Sequence, residues 1–329
     1  MRGAAGLLVL VIVLGGAGGA PAAPAVAPPK VQASAAVLLD DRSGRVLYAV
    51  APHERRPPAS TTKMLTAILV AEALRPDAPV VISSRAAGER SGSAIGLEVG
   101  ETWTAEELMR AMLMHSANDA AVALAEAVAG SVEAFARRMN ERARALGARR
   151  SHFVNPHGRF HPEHYSTAYD LALIGRAALR IPWIAEIVRT PTWELVRGGA
   201  TRMVINTNSL LWRYEGADGI KTGWIAESGP CLVASATRAL WRLIAVVLNS
   251  DAMYREAAAL LTYGFTAFES VRAAAAGEVV QTLPVRNGSH PLVAVAGEDA
   301  MVAIPKGAAV QRKVFLTRTT APIARGERV

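Results

Sequence analysis

At 329 residues the chain is longer than one hydrophobic core usually organises, so a large domain accompanied by a small one is the first expectation. A single cysteine, Cys231, excludes an internal disulfide and leaves stability to packing. The formal charge of +8 comes from scattered arginines with few aromatics, which argues against nucleic acid and for attraction to an anionic cell envelope.

The chain opens with Met1 and Arg2, an apolar run over 7–14 and small residues over 15–25. That is the layout of a secretory signal peptide, so residues 1–25 are expected to be removed, with cleavage between Ala20 and Ala25. The run falls well short of the roughly 20 apolar residues that a membrane span requires. The expected location is therefore the cell envelope outside the cytoplasmic membrane, periplasmic or extracellular. A Pro/Ala tract over 21–29 leads into the fold as extended chain.

Segments 34–39 and 46–50 read as strands joined by the turn Asp41-Arg42-Ser43-Gly44. After Pro57-Pro58-Ala59, residues 60–74 read as a helix that starts at Ser60. Thr104-Ala105-Glu106-Glu107 is a capping box opening a helix to about Met114. His115 to Asn118 interrupts, helix resumes over 119–128, and Gly130-Ser131 introduces another that stops at Gly147. Thr167 opens the next, through Leu179. Strands follow at 193–196, 203–207, 219–224, 231–237 and 243–248, then a helix over 254–268. Cys231 lies in an apolar strand-like run and reads as a buried thiol. Strands at both ends with helices between predict an α+β domain over 26–274, an antiparallel sheet flanked by helices. Alternation resumes at 279–285, which predicts a small β-rich domain over 275–329 whose sheet is incomplete, with an unpaired edge.

Three short strings occur in order: Ser60-Thr61-Thr62-Lys63, Ser116-Ala117-Asn118 and Lys221-Thr222-Gly223. Each alone is weak. A capping serine beside a solvated lysine is the plain reading of the first, and an edge-strand lysine of the third. Together they supply what acyl transfer through a serine ester needs. Lys63, one helical turn from Ser60, can act as base if burial or a neighbouring cation lowers its pKa, and Lys221 could be that cation. Ser116 sits at a helix break where it could relay a proton, and the Asn118 amide could grip a substrate peptide group. Lys221 and Thr222 suit a terminal carboxylate, and Gly223 leaves a strand edge bare for an extended substrate.

These strings, with Asn155-Pro156-His157-Gly158, His164-Tyr165-Ser166-Thr167-Ala168 and Asn206-Thr207-Asn208-Ser209-Leu210-Leu211, resemble the serine-type D-alanyl-D-alanine carboxypeptidases, the low-molecular-mass penicillin-binding proteins. The likeness covers about residues 32–270 and is highly specific; the tail after 275 resembles the family's small β domain more loosely. It implies that Ser60 is acylated by the penultimate D-alanine of a peptidoglycan stem peptide, releasing the last one. It further implies Lys63 as base and Ser116 as the proton relay to the leaving amine. Asn118 would bind the peptide, and Lys221 with Thr222 the carboxylate. The N–H groups of Ser60 and Trp224 would form the oxyanion hole, β-lactams would be covalent inhibitors, and no cofactor or metal would be needed.

Two departures stand out. Trp224-Ile225 follows Lys-Thr-Gly where the family often has a small, Tyr or His residue and then Thr, which bears on rate and substrate preference. The chain also stops at Val329, where the family's β domain usually continues and an amphipathic anchor helix often follows; no firm membrane anchor is expected from the chain as given. Three rivals remain. A class A-like β-lactamase would resemble Glu-x-x-Leu-Asn before the third string, which is absent. A D,D-endopeptidase is chemically close. A catalytically inactive peptidoglycan-binding protein is opposed by the intact Ser60, Lys63 and Lys221. His152, His157, His161 and His164 cluster without His-Glu-x-x-His spacing, so a metallopeptidase is disfavoured.

Overall fold

Strands that are apolar and buried on both faces, between two helical layers, decide the architecture. In the computed structural model, which describes residues 9–14, 26–283, 291–308 and 310–315, five strands form one antiparallel sheet. They are β1 (Ala35–Asp40), β2 (Val46–Val50), β3 (Ala217–Ile225), β4 (Gly229–Arg238) and β5 (Trp241–Leu248), in the order β2-β1-β5-β4-β3. Register pairs Ala35 with Leu248 and Asp40 with Leu243, so the first and last strands of the large unit meet at the sheet's centre. Lys221-Thr222-Gly223 therefore lies on an edge strand, β3.

The main helices are α1 (Lys63–Ala73), α2 (Ala105–Arg110), α3 (Asn118–Ala129), α4 (Val132–Ala145), α5 (Ala168–Leu179), α6 (Pro182–Arg189) and α7 (Met253–Ala267). Residues Val37, Val233, Ile244 and Val246 point to one face of the sheet and join the main core with α1, α3 and α5. Gly175 of α5 comes so close that a Cβ there would stand 3.0 Å from Ile220 and 3.1 Å from Val233. Leu38 and Leu243 point to the other face, where Gly264 of α7 approaches them. Period-two alternation thus places helices on both faces.

The predicted caps are present. Thr104 and Glu107 form a complete capping box, Ser131 accepts the Ala134 N–H and Thr167 accepts the Asp170 N–H. Two helices differ from expectation where the chemistry lies. The helix predicted from Ser60 begins as a 3₁₀ turn over Ala59–Thr62, and α1 proper starts at Lys63. Ala59 is held at φ +48°, which an α-helix cannot include. The helix opened by Thr104 widens after Arg110 into a π turn over Ala111–His115 and ends at Ser116 with φ +69°. Helix α6, with Pro182 in its first turn, went unread in the sequence. The strands predicted at 193–196 and 203–207 form a separate hairpin, Thr192–Arg197 with Ala200–Ile205.

The chain divides into two compact units, residues 28–264 and residues 1–27 with 265–329. In the second, Phe268–Ala274 pairs with Ala300–Pro305 around Ala273, Val302 and Ile304. That pairing draws residues before 275 into the smaller unit. Val279–Leu283 pairs with Leu292–Val295, and Val9–Leu14 with Val310–Phe315. The rest of the expected leader, and the end of the tail over 316–329, lie outside the described residues. Among the described residues no helix is long and apolar enough to cross a membrane.

Candidate active site

The turn that carries Ser60 is clasped by two glycines. A Cβ on Gly158, at φ +91°, would stand 1.8 Å from the Ala59 carbonyl oxygen, so only glycine lets the 155–158 loop come this close. A Cβ on Gly223 would stand 3.0 Å from the Ser60 nitrogen and 3.1 Å from the Ala59 Cβ. The missing Cβ of Gly223 thus also makes room for the turn that carries Ser60. Gly223 itself therefore lies beside the Ser60 N–H. On the other side of the turn, the Thr66 hydroxyl donates to the Pro156 carbonyl at 2.6 Å.

Lys63 is the centre of the constellation. Its side chain is fully buried, and its Nζ donates to Ser60 Oγ at 2.9 Å, Asn118 Oδ1 at 2.6 Å and the His157 carbonyl at 3.0 Å. Ser116 Oγ lies 3.5 Å away. Burial and then the charge of Lys221 hold the Lys63 pKa well below the usual lysine range, while Glu89 and Asp119 act the other way. A neutral amine can take the proton of a hydroxyl 2.9 Å away; an ammonium cannot.

Ser116 and Asn118 reach this point because the π turn ends in a left-handed residue, which releases the chain before α3 restarts at Asn118. Both ends of the Asn118 amide are engaged, Oδ1 by Lys63 and Nδ2 by the Ser91 carbonyl at 2.6 Å. Next to it, the Asp119 carboxylate accepts the N–H groups of Ile95, Gly96 and Leu97. These two residues fasten the 91–97 segment against the head of α3.

Lys221 is also buried, its Nζ donates to the Thr222 carbonyl at 3.0 Å, and burial lowers its pKa to about 7. The Thr222 and Thr207 hydroxyls are 2.7 Å apart. Thr207 is held in turn by the Met114 carbonyl, which accepts its N–H at 3.0 Å, and by Tyr254, whose hydroxyl donates to its carbonyl at 2.7 Å. Met114 is in the π turn, so the edge strand and the Ser116 break share one anchor. Trp224 is 67% exposed and, two residues along β3, shares the Thr222 side of the strand.

The structure brings Ser60, Lys63, Ser116 and Asn118 into one cluster around Lys63, with Lys221, Thr222 and Gly223 on the adjoining strand. Sequence reasoning assigned no role to Thr207, Glu89 or the His157 carbonyl. Thr207 and His157 sit inside strings noticed for their likeness, which was the available signal; a backbone carbonyl leaves none. His164 accepts the Val154 N–H on Nδ1, so its Nε2 donates to Thr62 at 2.9 Å, and burial takes its pKa down to about 3. No group of side chains suited to a metal ion occurs among the described residues.

Comparisons with known proteins show the family of the chain. The sequence pattern of the peptidase S11 family, described as D-alanyl-D-alanine carboxypeptidase, matches residues 22–252. The chain is 34% identical over 285 residues to the D-alanyl-D-alanine carboxypeptidase DacF of Bacillus subtilis (strain 168), covering 84% of this chain and 73% of the relative. It is 35% identical over 324 residues to DacC of Escherichia coli (strain K12), covering 92% and 80%. The crystal structure of penicillin binding protein 5 from Haemophilus influenzae superposes with a TM-score of 0.79 at 33% identity, covering 86% of this chain and 85% of that one.

Proposed function

The chain belongs to the D-alanyl-D-alanine carboxypeptidase family, and on that premise we propose that it removes the terminal D-alanine of peptidoglycan stem pentapeptides through an acyl-enzyme on Ser60. The observation that carries this reading is the buried Lys63 amine, 2.9 Å from the Ser60 hydroxyl and depressed in pKa. Lys63 takes the Ser60 proton as Oγ attacks the carbonyl of the penultimate D-alanine. The N–H groups of Ser60 and Trp224 receive the oxyanion, an arrangement supported by the close approach of Gly223 to Ser60. The C–N bond then breaks, and the proton travels from Lys63 through Ser116 to the leaving D-alanine amine. Water attacks the ester carbonyl and gives a proton to Lys63; the acyl C–Oγ bond then breaks, Lys63 returns that proton to Ser60 Oγ, and the shortened peptide leaves with a new terminal carboxyl group.

Lys221 and Thr222 bind the substrate carboxylate; the hydroxyl of Thr222 is presented by Thr207 and the buried Lys221 supplies positive field behind it. Asn118 serves foremost to orient Lys63, since its Oδ1 accepts from the Lys63 amine while its Nδ2 donates to the Ser91 carbonyl. β-Lactams acylate the same serine. We place the activity outside the cytoplasmic membrane, where such stem peptides lie, in accord with the leader-like residues 1–25 and the net charge of +8.

The test is incubation of purified protein with labelled penicillin and with a peptide ending in D-Ala-D-Ala. A mass adduct on Ser60 together with released D-alanine is expected. Rapid turnover of the penicillin would point instead to a β-lactamase, cleavage of cross-linked muropeptides alone to an endopeptidase, and no adduct to an inactive binding protein.

A further inference from the structure

Lys63 has two acceptors that are not hydroxyls, Asn118 Oδ1 and the His157 carbonyl, and both trace back to one carboxylate. Glu89 Oε1 accepts the Ser91 N–H at 3.1 Å and the Ser91 hydroxyl. Ser91 in turn offers its carbonyl to Asn118 Nδ2. Glu89 Oε2 lies 3.6 Å from His157 Nε2 and 3.9 Å from the Arg159 guanidinium. His157 Nδ1 accepts the Arg159 N–H at 3.2 Å, so Nε2 carries the ring proton that faces Glu89. Glu89 is therefore the common root of two arms that converge on the Lys63 amine, one through Ser91 and Asn118, the other through His157.

Resting on the acyl-enzyme reading above, we propose that Glu89 is a positioning residue for the reaction: it fixes both non-hydroxyl acceptors of Lys63 and, with its charge, sets the basicity of that amine. Several features fit. The Glu89 side chain is only 15% exposed, too secluded for a carboxylate that serves solubility alone. It lines a pocket of about 310 Å³ with Arg85, Asn155, His157 and Arg159. The charged or titratable groups acting on Lys63 are Lys221, Glu89 and Asp119, and those acting on His157 are Lys63, His164, Arg159 and Arg85. Burial and the neighbouring cations keep His157 neutral, so Glu89 meets a dipole there and its charge is not cancelled by an imidazolium. Asp119 is saturated by backbone N–H groups of the 95–97 segment, which leaves Glu89 as the carboxylate connected to both arms.

The sign follows from electrostatics. Removing a negative charge near an amine favours the neutral form, so Lys63 would lose its proton at a lower pH and become a weaker base. The test is the second-order rate of Ser60 labelling by penicillin from pH 5 to 10 on the full chain, for the wild type and three variants. Glu89→Gln keeps the shape and the Ser91 acceptor but not the charge. Its rising limb is expected to move to lower pH by about half a unit or more, with a plateau about two- to threefold lower. Glu133→Gln removes an exposed carboxylate of the same pocket and should overlay the wild type. Glu89→Asp keeps the charge but draws it back from His157; its plateau should fall while its midpoint stays. If Glu89→Gln does not fold, Glu89→Asn, which also removes the charge, must show the same downward shift of the midpoint.

An unmoved midpoint in Glu89→Gln overturns the proposal, even if the plateau falls, because a merely structural role would give that result. A midpoint shift in Glu89→Asp as large as in Glu89→Gln also overturns it. Failure of the underlying reading looks different: the wild type would not be labelled at Ser60, or Lys63→Ala would be labelled at the wild-type rate.

Discussion

Substituting Gly158 by alanine tests how the nucleophile is held. The new Cβ would stand 1.8 Å from the Ala59 carbonyl oxygen, against ordinary contacts of about 3.5 Å, so the loop or the nucleophile turn must move by roughly 1.5 Å or more. The backbone at φ +91° adds about 1–2 kcal/mol of strain for an L side chain, and overpacking a tight contact adds about 1–3 kcal/mol. A loss of about 2–5 kcal/mol follows, or roughly 10 °C in Tm for a unit of this size. Acylation should suffer more than stability. Ala59 precedes Ser60, and the preceding residue of the loop, His157, gives its carbonyl to Lys63 at 3.0 Å. Displacing either by about 1 Å is enough for about a hundredfold loss of rate. Stopped-flow penicillin labelling and thermal unfolding read the two effects separately. Gly88→Ala is the control, since its Cβ meets nothing within 4 Å. If Gly158→Ala labelled at the wild-type rate with an unchanged Tm, the clasp would have no functional meaning.

Three further outcomes are expected. Lys63→Ala should lower Ser60 labelling by about 10²–10⁴-fold, the usual span of general-base catalysis, whereas Lys221→Ala should act chiefly on KM for peptides ending in a free carboxylate; steady-state and labelling kinetics together decide this. Stability should fall with acid because of His164: its pKa is about 3 when folded and about 6.5 unfolded, so the unfolded state binds the extra proton first. The stabilisation is complete above about pH 6.5 and is lost as pH falls toward 3, by up to ~5 kcal/mol; urea titrations of the wild type and His164→Gln check it, and parallel curves would refute it. Trp224→Gly should alter turnover and preference among peptide substrates while shifting Tm little, because the indole is mostly exposed; unchanged kinetics across several peptides would show that it does not face the substrate.

What the sequence determined by itself is chemistry that depends on spacing along the chain. A serine and a lysine three residues apart meet whether the turn is α or 3₁₀, so Ser60 and Lys63 were legible although the predicted helix start was wrong. Caps at Thr104, Ser131 and Thr167 were legible because side chain and partner N–H lie within three residues. Short apolar runs bounded by turn residues likewise announced the central strands, and with them the α+β class. Only the tertiary structure decided what burial and long-range approach control. Lysine looks the same in sequence whether solvated or sealed, yet it is burial and the nearby Lys221 that hold the Lys63 pKa well below the usual lysine range. Gly223 read as a bare edge, and only the packed turn shows that its missing Cβ is space occupied by Ser60 and Ala59. The carbonyl of His157, the Thr207 hydroxyl against Thr222 and the two arms from Glu89 join residues far apart in the chain. No local pattern encodes such contacts, because which backbone groups come within 3 Å is fixed by the sum of the packing.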